Sequence, residues 1–309
     1  MKLPYRTSPL QKIEDELLNQ KNIEMYVKRD ELIHREIQGN KYRKLKYNMR
    51  EAENQKQQLL LTFGGSFSNH IYAMAAAAAM LGFKCAAIIR GERPDNLSPT
   101  LQFASEKGMQ LHFTSRSEYR NLLLPENLPE LYKRFGHFYL VPEGGTNALA
   151  LKGVAEIIDE INISFDYICT ACGTGGTAAG LLSGLKGRAY LLGFSTLKGE
   201  DELTQTIKSL NRDFDGTAYH NFALDFHYHF GGYAKVKPEL IDFIKAFRVK
   251  HNIQLDPVYT GKMFYGLFDM IGKNKFKAGS RIIALHTGGL QGLKGYSDYF
   301  DESLTGGLG

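Results

Sequence analysis

Short unbroken apolar runs alternate along the chain with segments of helical periodicity. Residues 59–63 (LLLTF) form one such run; Gly64-Gly65 closes it, and a helix is predicted from about Ser68 to Leu81. Residues 85–89 (CAAII) lead through a polar loop to a helix opening at Ser98-Pro99, where proline suits the first helical position. Further strands are predicted at 110–114, 139–141, 166–171, 190–194 and 282–286. Helices are predicted at 149–161, where Val154, Ile157, Ile158 and Ile161 share a face, and at 178–185. Continuous apolar strands separated by helices indicate an α/β fold whose parallel sheets are covered on both faces. The connections are long enough for right-handed crossovers.

Composition narrows the class. A chain of 309 residues, 43% hydrophobic and 23% charged, can bury a sizeable core and resembles an ordinary enzyme. Its net charge of +5 is scattered, with no basic block interleaved with aromatics, so no nucleic-acid partner is expected. A mild positive balance suits small anionic ligands. Three cysteines, an odd and low number, argue for a reducing compartment rather than a disulfide scaffold. Cys169 and Cys172 make a CxxC that no second pair completes into a zinc site, and they read as small buried residues on a strand. His34, His70 and His286 belong to no metal-ligand cluster. The aromatic group Phe222, Phe226, Tyr228 and Phe230 reads as core or interface packing. The first residues lack the apolar stretch of a signal peptide, and no segment approaches the ~18 apolar residues that span a bilayer. A cytoplasmic protein without a membrane partner is expected.

Five segments carry candidate chemistry. In Gly39-Asn40-Lys41-Tyr42-Arg43-Lys44-Leu45 a turn precedes a helix with Leu45, Met49 and Ala52 on one side. Lys41 therefore stands near a helix N-terminus, where the dipole and burial lower an amine's pKa and favour its neutral, nucleophilic form. By spacing alone, the basic run from Lys41 to Lys46 reads as a solvated helix face. Gly64-Gly65-Ser66-Phe67-Ser68-Asn69-His70 joins a strand to a helix, with Ser68 placed to cap it and free N–H groups to receive an anion; an ordinary capped junction would look the same. Gly173-Thr174-Gly175-Gly176-Thr177, at a strand-to-helix switch, lacks both a Walker lysine and a dinucleotide fingerprint and reads as a cradle for one phosphate. Asp256-Pro257-Val258-Tyr259-Thr260-Gly261-Lys262 and His286-Thr287-Gly288-Gly289 are each, alone, compatible with a simple turn.

Together, with Tyr26-Val27-Lys28-Arg29-Asp30, these motifs resemble, in order and over about residues 9–296, the pyridoxal-phosphate (PLP)-dependent 1-aminocyclopropane-1-carboxylate (ACC) deaminase and D-cysteine desulfhydrase family. The resemblance implies a tryptophan-synthase-β-like fold of two open, mostly parallel sheets with flanking helices. It places the cofactor in an interdomain cleft between a large domain (1–50 plus 146–309) and a small one (51–145), in a homodimer. It implies that Lys41 holds PLP as a Schiff base and moves protons, and that Gly173, Thr174, Gly175, Gly176 and Thr177 hold its phosphate. Asn69 would meet the 3′-oxygen, and Thr260 and Thr287 would lie near the pyridine nitrogen. Ser68, Asn69 and His70 would receive the substrate carboxylate, with Ser68 also moving protons, and Tyr259 and Tyr233 would face the substrate.

Ring-opening relatives carry Glu and Leu at the positions of Thr260 and Thr287. Two threonines imply a weaker electron sink and α,β-elimination of D-cysteine to pyruvate, ammonia and sulfide. ACC ring opening to 2-oxobutanoate is the alternative; a non-catalytic PLP- or amino-acid-binding protein is a further one. The chain departs from the family at Gln38, commonly glycine, in Ile71-Tyr72-Ala73, which lacks the arginine many relatives have there, and in the loop 33–37.

Overall fold

The structure, a computed structural model, describes residues 3–197 and 201–300. The chain begins with β1 (Leu10–Ile13), α1 (Glu16–Lys21) and β2 (Glu24–Lys28), and enters α2 (Asn40–Asn54). Next come β3 (Leu59–Gly64), α3 (Asn69–Leu81), β4 (Lys84–Arg90), α4 (Pro99–Glu106), β5 (Met109–Thr114), α5 (Arg116–Leu122), α6 (Leu128–Phe135) and β6 (Tyr139–Val141). The remainder is α7 (Ala148–Asp159), β7 (Tyr167–Cys172), α8 (Gly176–Leu185), β8 (Tyr190–Ser195), α9 (Asp201–Asp215), β9 (Phe222–Asp225), α10 (Pro238–His251), α11 (Thr260–Gly272) and β10 (Arg281–Leu285).

Two sheets result. A six-stranded sheet has the order β1-β2-β10-β7-β8-β9 and is parallel except for β1, so it joins strands from both ends of the chain. A four-stranded, wholly parallel sheet has the order β5-β4-β3-β6. Each carries apolar side chains on both faces, as parallel strands under crossover helices must. In the smaller sheet, Leu60, Ala87 and Ile89 pack with α2, α3 and α4, while Leu61, Phe63 and Ile88 pack with α5 and α6. In the larger, Val27, Cys169 and Ala284 pack with α10 and α11, and Ile168, Leu191 and Ile283 with α7, α8 and α9. The CxxC cysteines are thus buried strand residues with free thiols.

Helix α2 packs on both α3 and α7 and links the two layers, burying Leu45, Met49 and Ala52. Truncating Leu45 to alanine there costs about 2–5 kcal/mol. The basic run is not a solvated face: Arg43 and Lys44 are buried. Arg43 is met by Asp30 at 2.9 and 3.2 Å and by Glu160, which also pairs with Lys28 at 2.7 Å. A guanidinium can leave water only with such partners. Helix α8 begins at Gly176, two residues before the prediction, because the end of the glycine loop already takes helical backbone. No helix among the described residues is long and apolar enough to cross a membrane.

Candidate active site

The C-terminal ends of β3, β4, β6, β7 and β10 surround a cavity of about 520 Å³, the usual place for a ligand in open α/β sheets. Lys41 reaches it from the first turn of α2. Gly39, in the left-handed region (φ 59°), lies so close to β10's exit that a Cβ would overlap the Thr287 carbonyl, and that carbonyl accepts the Asn40 N–H at 3.3 Å. Glycine is therefore required to bring the lysine helix against the strand end. The Lys41 Nζ donates to the Gly144 carbonyl at 3.0 Å. Burial pushes its amine down to about 8, against an opposing pull from Glu143. Lys44 donates to the same carbonyl at 3.3 Å and to Thr146 Oγ1 at 3.2 Å. Its pKa is held well below the usual lysine range by burial and then by the charge of Lys41.

In the segment after β3, Ser68 caps α3 by accepting the Ile71 N–H at 3.3 Å. The Asn69 Oδ1 accepts from Gln291 at 2.7 Å, while its Nδ2 has no protein acceptor among the described residues and lines the cavity. Thr62 donates its hydroxyl proton to Val141, so at 2.7 Å it accepts one from His70 Nε2. That leaves the buried His70 Nδ1 as an unpartnered acceptor. Burial first, then Lys41 and Lys44, hold His70 far below its usual pKa and keep it neutral.

The loop 173–177 has the features of an anion cradle. No side chain caps α8, and the first helix-forming N–H bond is that of Ala179 to Gly175, leaving the amides of the preceding turn free. Gly175 is left-handed (φ 81°), and a Cβ there would meet Ile207 at 2.9 Å. A Cβ on Gly176 would sit 3.0 Å from Lys44 Nζ. Asn40 donates to Thr177 Oγ1 at 2.8 Å, and Thr174 pairs with Thr146 at 2.8 Å, so the lysine helix and the 143–146 loop both brace the cradle.

The two tyrosines adjoin this loop: a Cβ on Gly173 would lie 3.3 Å from the Tyr259 ring. Asp256, buried, accepts the N–H groups of Val258, Tyr259 and Thr260 at 2.8–2.9 Å and the Thr260 hydroxyl at 2.7 Å. Asp256 thereby fixes the chain that leads into α11 at Thr260. Tyr259 and Tyr233 both line the cavity, their rings 6.1 Å apart at 68°. Burial raises both hydroxyl pKa values, Tyr259's well above the ordinary range.

The structure therefore gathers Lys41, Ser68, Asn69, His70, Gly173, Thr174, Gly175, Thr177, Tyr233, Tyr259 and Thr287 around one cavity. Thr260 is not among them: fully buried, it spends its hydroxyl on Asp256. Gly176 stands behind the cradle. The departures from the family pattern have local uses. Gln38 ties Arg35 to Leu290 through both ends of its amide at 3.0 and 3.2 Å, Tyr72 stacks on Phe103, and the His34 Nδ1 accepts two N–H groups of its own loop. Sequence reasoning passed over Glu143, Arg90 and Arg116, which also line the cavity. The carboxylate of Glu143 accepts from Tyr119 at 2.8 Å, and the two arginines have no ion-pair partner among the described residues. Arg90 ends β4, Arg116 opens α5 and Glu143 lies two residues after β6, positions that no local motif marks. No group of three or more metal-ligating side chains occurs among the described residues.

A deprotonatable amine at one end and a cradle of free amides at the other suit a ligand carrying both a carbonyl and a phosphate. Comparison with known proteins agrees. The family model for pyridoxal-phosphate-dependent enzymes matches residues 1–288. The chain is 31% identical over 291 residues to a putative 1-aminocyclopropane-1-carboxylate deaminase of Pyrococcus furiosus, covering 89% of this chain and 87% of that protein. It is 32% identical over 295 residues to the mitochondrial bifunctional D-cysteine desulfhydrase/1-aminocyclopropane-1-carboxylate deaminase of Arabidopsis thaliana, covering 87% and 73%. The crystal structure of an ACC deaminase homologue superposes with a TM-score of 0.83 at 29% identity, covering 96% of this chain and 94% of that one.

Proposed function

The chain belongs to the family of pyridoxal-phosphate-dependent enzymes, and on that footing we propose that it catalyses α,β-elimination on a small amino acid, D-cysteine before others, releasing pyruvate, ammonia and sulfide. The observation that carries this reading is the pairing of the Lys41 amine with the 173–177 cradle in one cavity that the hydroxyls of Ser68, Tyr233, Tyr259 and Thr287 also line. The residues fit the cofactor: free amides for a phosphate, Lys44 beside them, the unpartnered Asn69 Nδ2 for a ring oxygen, and a Thr287 hydroxyl with no protein partner among the described residues.

Pyridoxal phosphate, when bound, supplies an aldehyde for the amine and a ring that takes up the electron pair left at the substrate's α-carbon. Lys41 would hold it and, once released, carry the α-proton on Nζ. Ser68, whose hydroxyl is free to donate, and the first amides of α3 would seat the substrate carboxylate. The Tyr259 hydroxyl, kept protonated by burial, would face the departing thiolate. With Thr260 engaged by Asp256, Thr287 would be the hydroxyl available to the ring nitrogen, and a neutral hydroxyl would not keep that nitrogen protonated as a carboxylate would. Expelling a thiolate asks less of the ring than breaking a C–C bond. The same reading takes residues 51–145 as the smaller domain, which contains the four-stranded sheet, and the chain as a cytoplasmic homodimer.

The test is sulfide release from D-cysteine by the PLP-loaded protein, with L-cysteine and ACC alongside. Sulfide from D-cysteine alone supports the reading. 2-Oxobutanoate from ACC without sulfide replaces it with ring opening, the activity the Pyrococcus furiosus relative is named for, whereas the Arabidopsis thaliana relative is named for both.

A further inference from the structure

A buried cation that the chemistry above leaves unused stands in the first turn of α11. Lys262 is 1% exposed, and its Nζ donates to the carbonyls of His229 at 2.9 Å and Gly232 at 2.8 Å. Both carbonyls already accept an N–H of the same turn, from Gly232 at 3.0 Å and Lys235 at 3.2 Å. The turn has a backbone that would relax if released: Phe230 and Ala234 are left-handed (φ 53° and 55°), flanking Gly231 and Gly232 at φ 101° and 118°. Non-glycine residues persist there only where their surroundings over-determine them. Two further contacts help. The Tyr296 hydroxyl donates to the Ala234 carbonyl at 3.0 Å. Tyr228 approaches α11 so closely at Gly266 that a Cβ there would lie 2.7 Å from its ring. Tyr233 rides on this turn, and Tyr259 stands at the head of the helix beneath it.

From this arrangement we infer that Lys262 is a positioning residue: its ammonium pins the 229–234 turn to α11, so that a single helix sets both tyrosines of the pocket. Burying an ammonium is costly, and a methionine would fill the slot at lower electrostatic cost. A methionine cannot hold two carbonyls. The inference rests on the pocket being the active site, but the pin itself can be tested without turnover.

The chain has no tryptophan, so Tyr233→Trp makes the turn the sole indole emitter. Adding Lys262→Met to the PLP-loaded Tyr233→Trp protein is expected to red-shift the emission and to raise acrylamide quenching at least about twofold, as a released loop should. The far-ultraviolet circular dichroism and the visible cofactor band should not change. In the otherwise native protein, Lys262→Met is expected to lower kcat about tenfold with unchanged cofactor affinity, since small misplacements are enough for that. Lys262→Arg, which can still reach two acceptors, should recover part of the loss. Unaltered emission and quenching in the double variant overturn the inference whatever the activity. Shifted emission with unaltered turnover supports the pin and removes Tyr233 from the reaction, which separates the two readings. Should Lys262→Met not fold, Lys262→Gln, with one amide donor left, is judged by the same emission.

Discussion

The side-chain amines of Lys41 and Lys44 donate to one acceptor, the carbonyl oxygen of Gly144, at 3.0 and 3.3 Å. They lie three residues apart on α2, on one face of the helix. Burial lowers the pKa of both amines, and for Lys44 the charge of Lys41 adds to it, while Glu143 pulls Lys41 the other way. Their surroundings divide the work: Lys44 abuts the cradle at Gly176 and Thr146, and Lys41 faces the open cavity.

A neutral amine is needed to attack an aldehyde, and burial brings Lys41 down to about 8. The rate at which apoprotein captures pyridoxal phosphate, followed by the rise of the visible band, should climb about tenfold per pH unit below that value and level off above it. A rate indifferent to pH across this range would assign capture to a different group.

Lys44→Met should weaken cofactor affinity at least about tenfold, equivalent to about 1.4 kcal/mol, because it removes an amine donor beside the cradle. The visible band should return at saturating cofactor. Lys41→Ala should lose the band at any cofactor concentration while keeping the fold. Equilibrium dialysis and absorption spectra distinguish the two.

The buried cluster of Asp30, Arg43, Glu160 and Lys28 anchors α2 and with it Lys41. Asp30→Ala leaves the Arg43 guanidinium without its innermost carboxylate and should cost about 3–5 kcal/mol in urea unfolding. Burial alone would raise the pKa of Glu160, but Arg43, Lys28 and Tyr5 outweigh it and bring the carboxyl from 4.5 to about 2. Its folded value lies below its unfolded one. The stability it contributes is therefore present above about 4.5 and lost as the pH falls towards 2. The urea midpoint should fall more steeply over that window in the native protein than in Glu160→Gln.

Asp256 fixes Tyr259 by accepting its N–H and those of both neighbours. Asp256→Ala should cost about 1–3 kcal/mol for the donors it orphans and should also reduce turnover. Tyr259→Phe should reduce turnover and leave the unfolding midpoint nearly unchanged. Unimpaired kinetics in both variants would remove Tyr259 from the reaction.

Much of this molecule is legible before it folds. The strand–helix alternation survives because parallel strands buried on both faces write themselves as unbroken apolar runs. The glycine-rich turn 173–177 is legible because Gly175 takes a left-handed backbone and Gly176 leaves no room for a side chain. What escapes are features made by distant partners. Arg43 and Lys44 read as a solvated face because their counterparts are remote: Asp30 is 13 residues away, Glu160 is 117 and Gly144 is 100. The resemblance puts Thr260 near the pyridine nitrogen, whereas its hydroxyl is taken by Asp256, four residues earlier in the chain.

The most direct test of the central claim is to reduce the PLP-loaded protein with borohydride, which fixes the cofactor to whichever amine holds it, and to map the labelled peptide. The expected result is pyridoxyl on Lys41, with Lys44 unmodified. Label on Lys44, or on neither lysine in a protein that still shows the visible band, would contradict the assignment of roles made here.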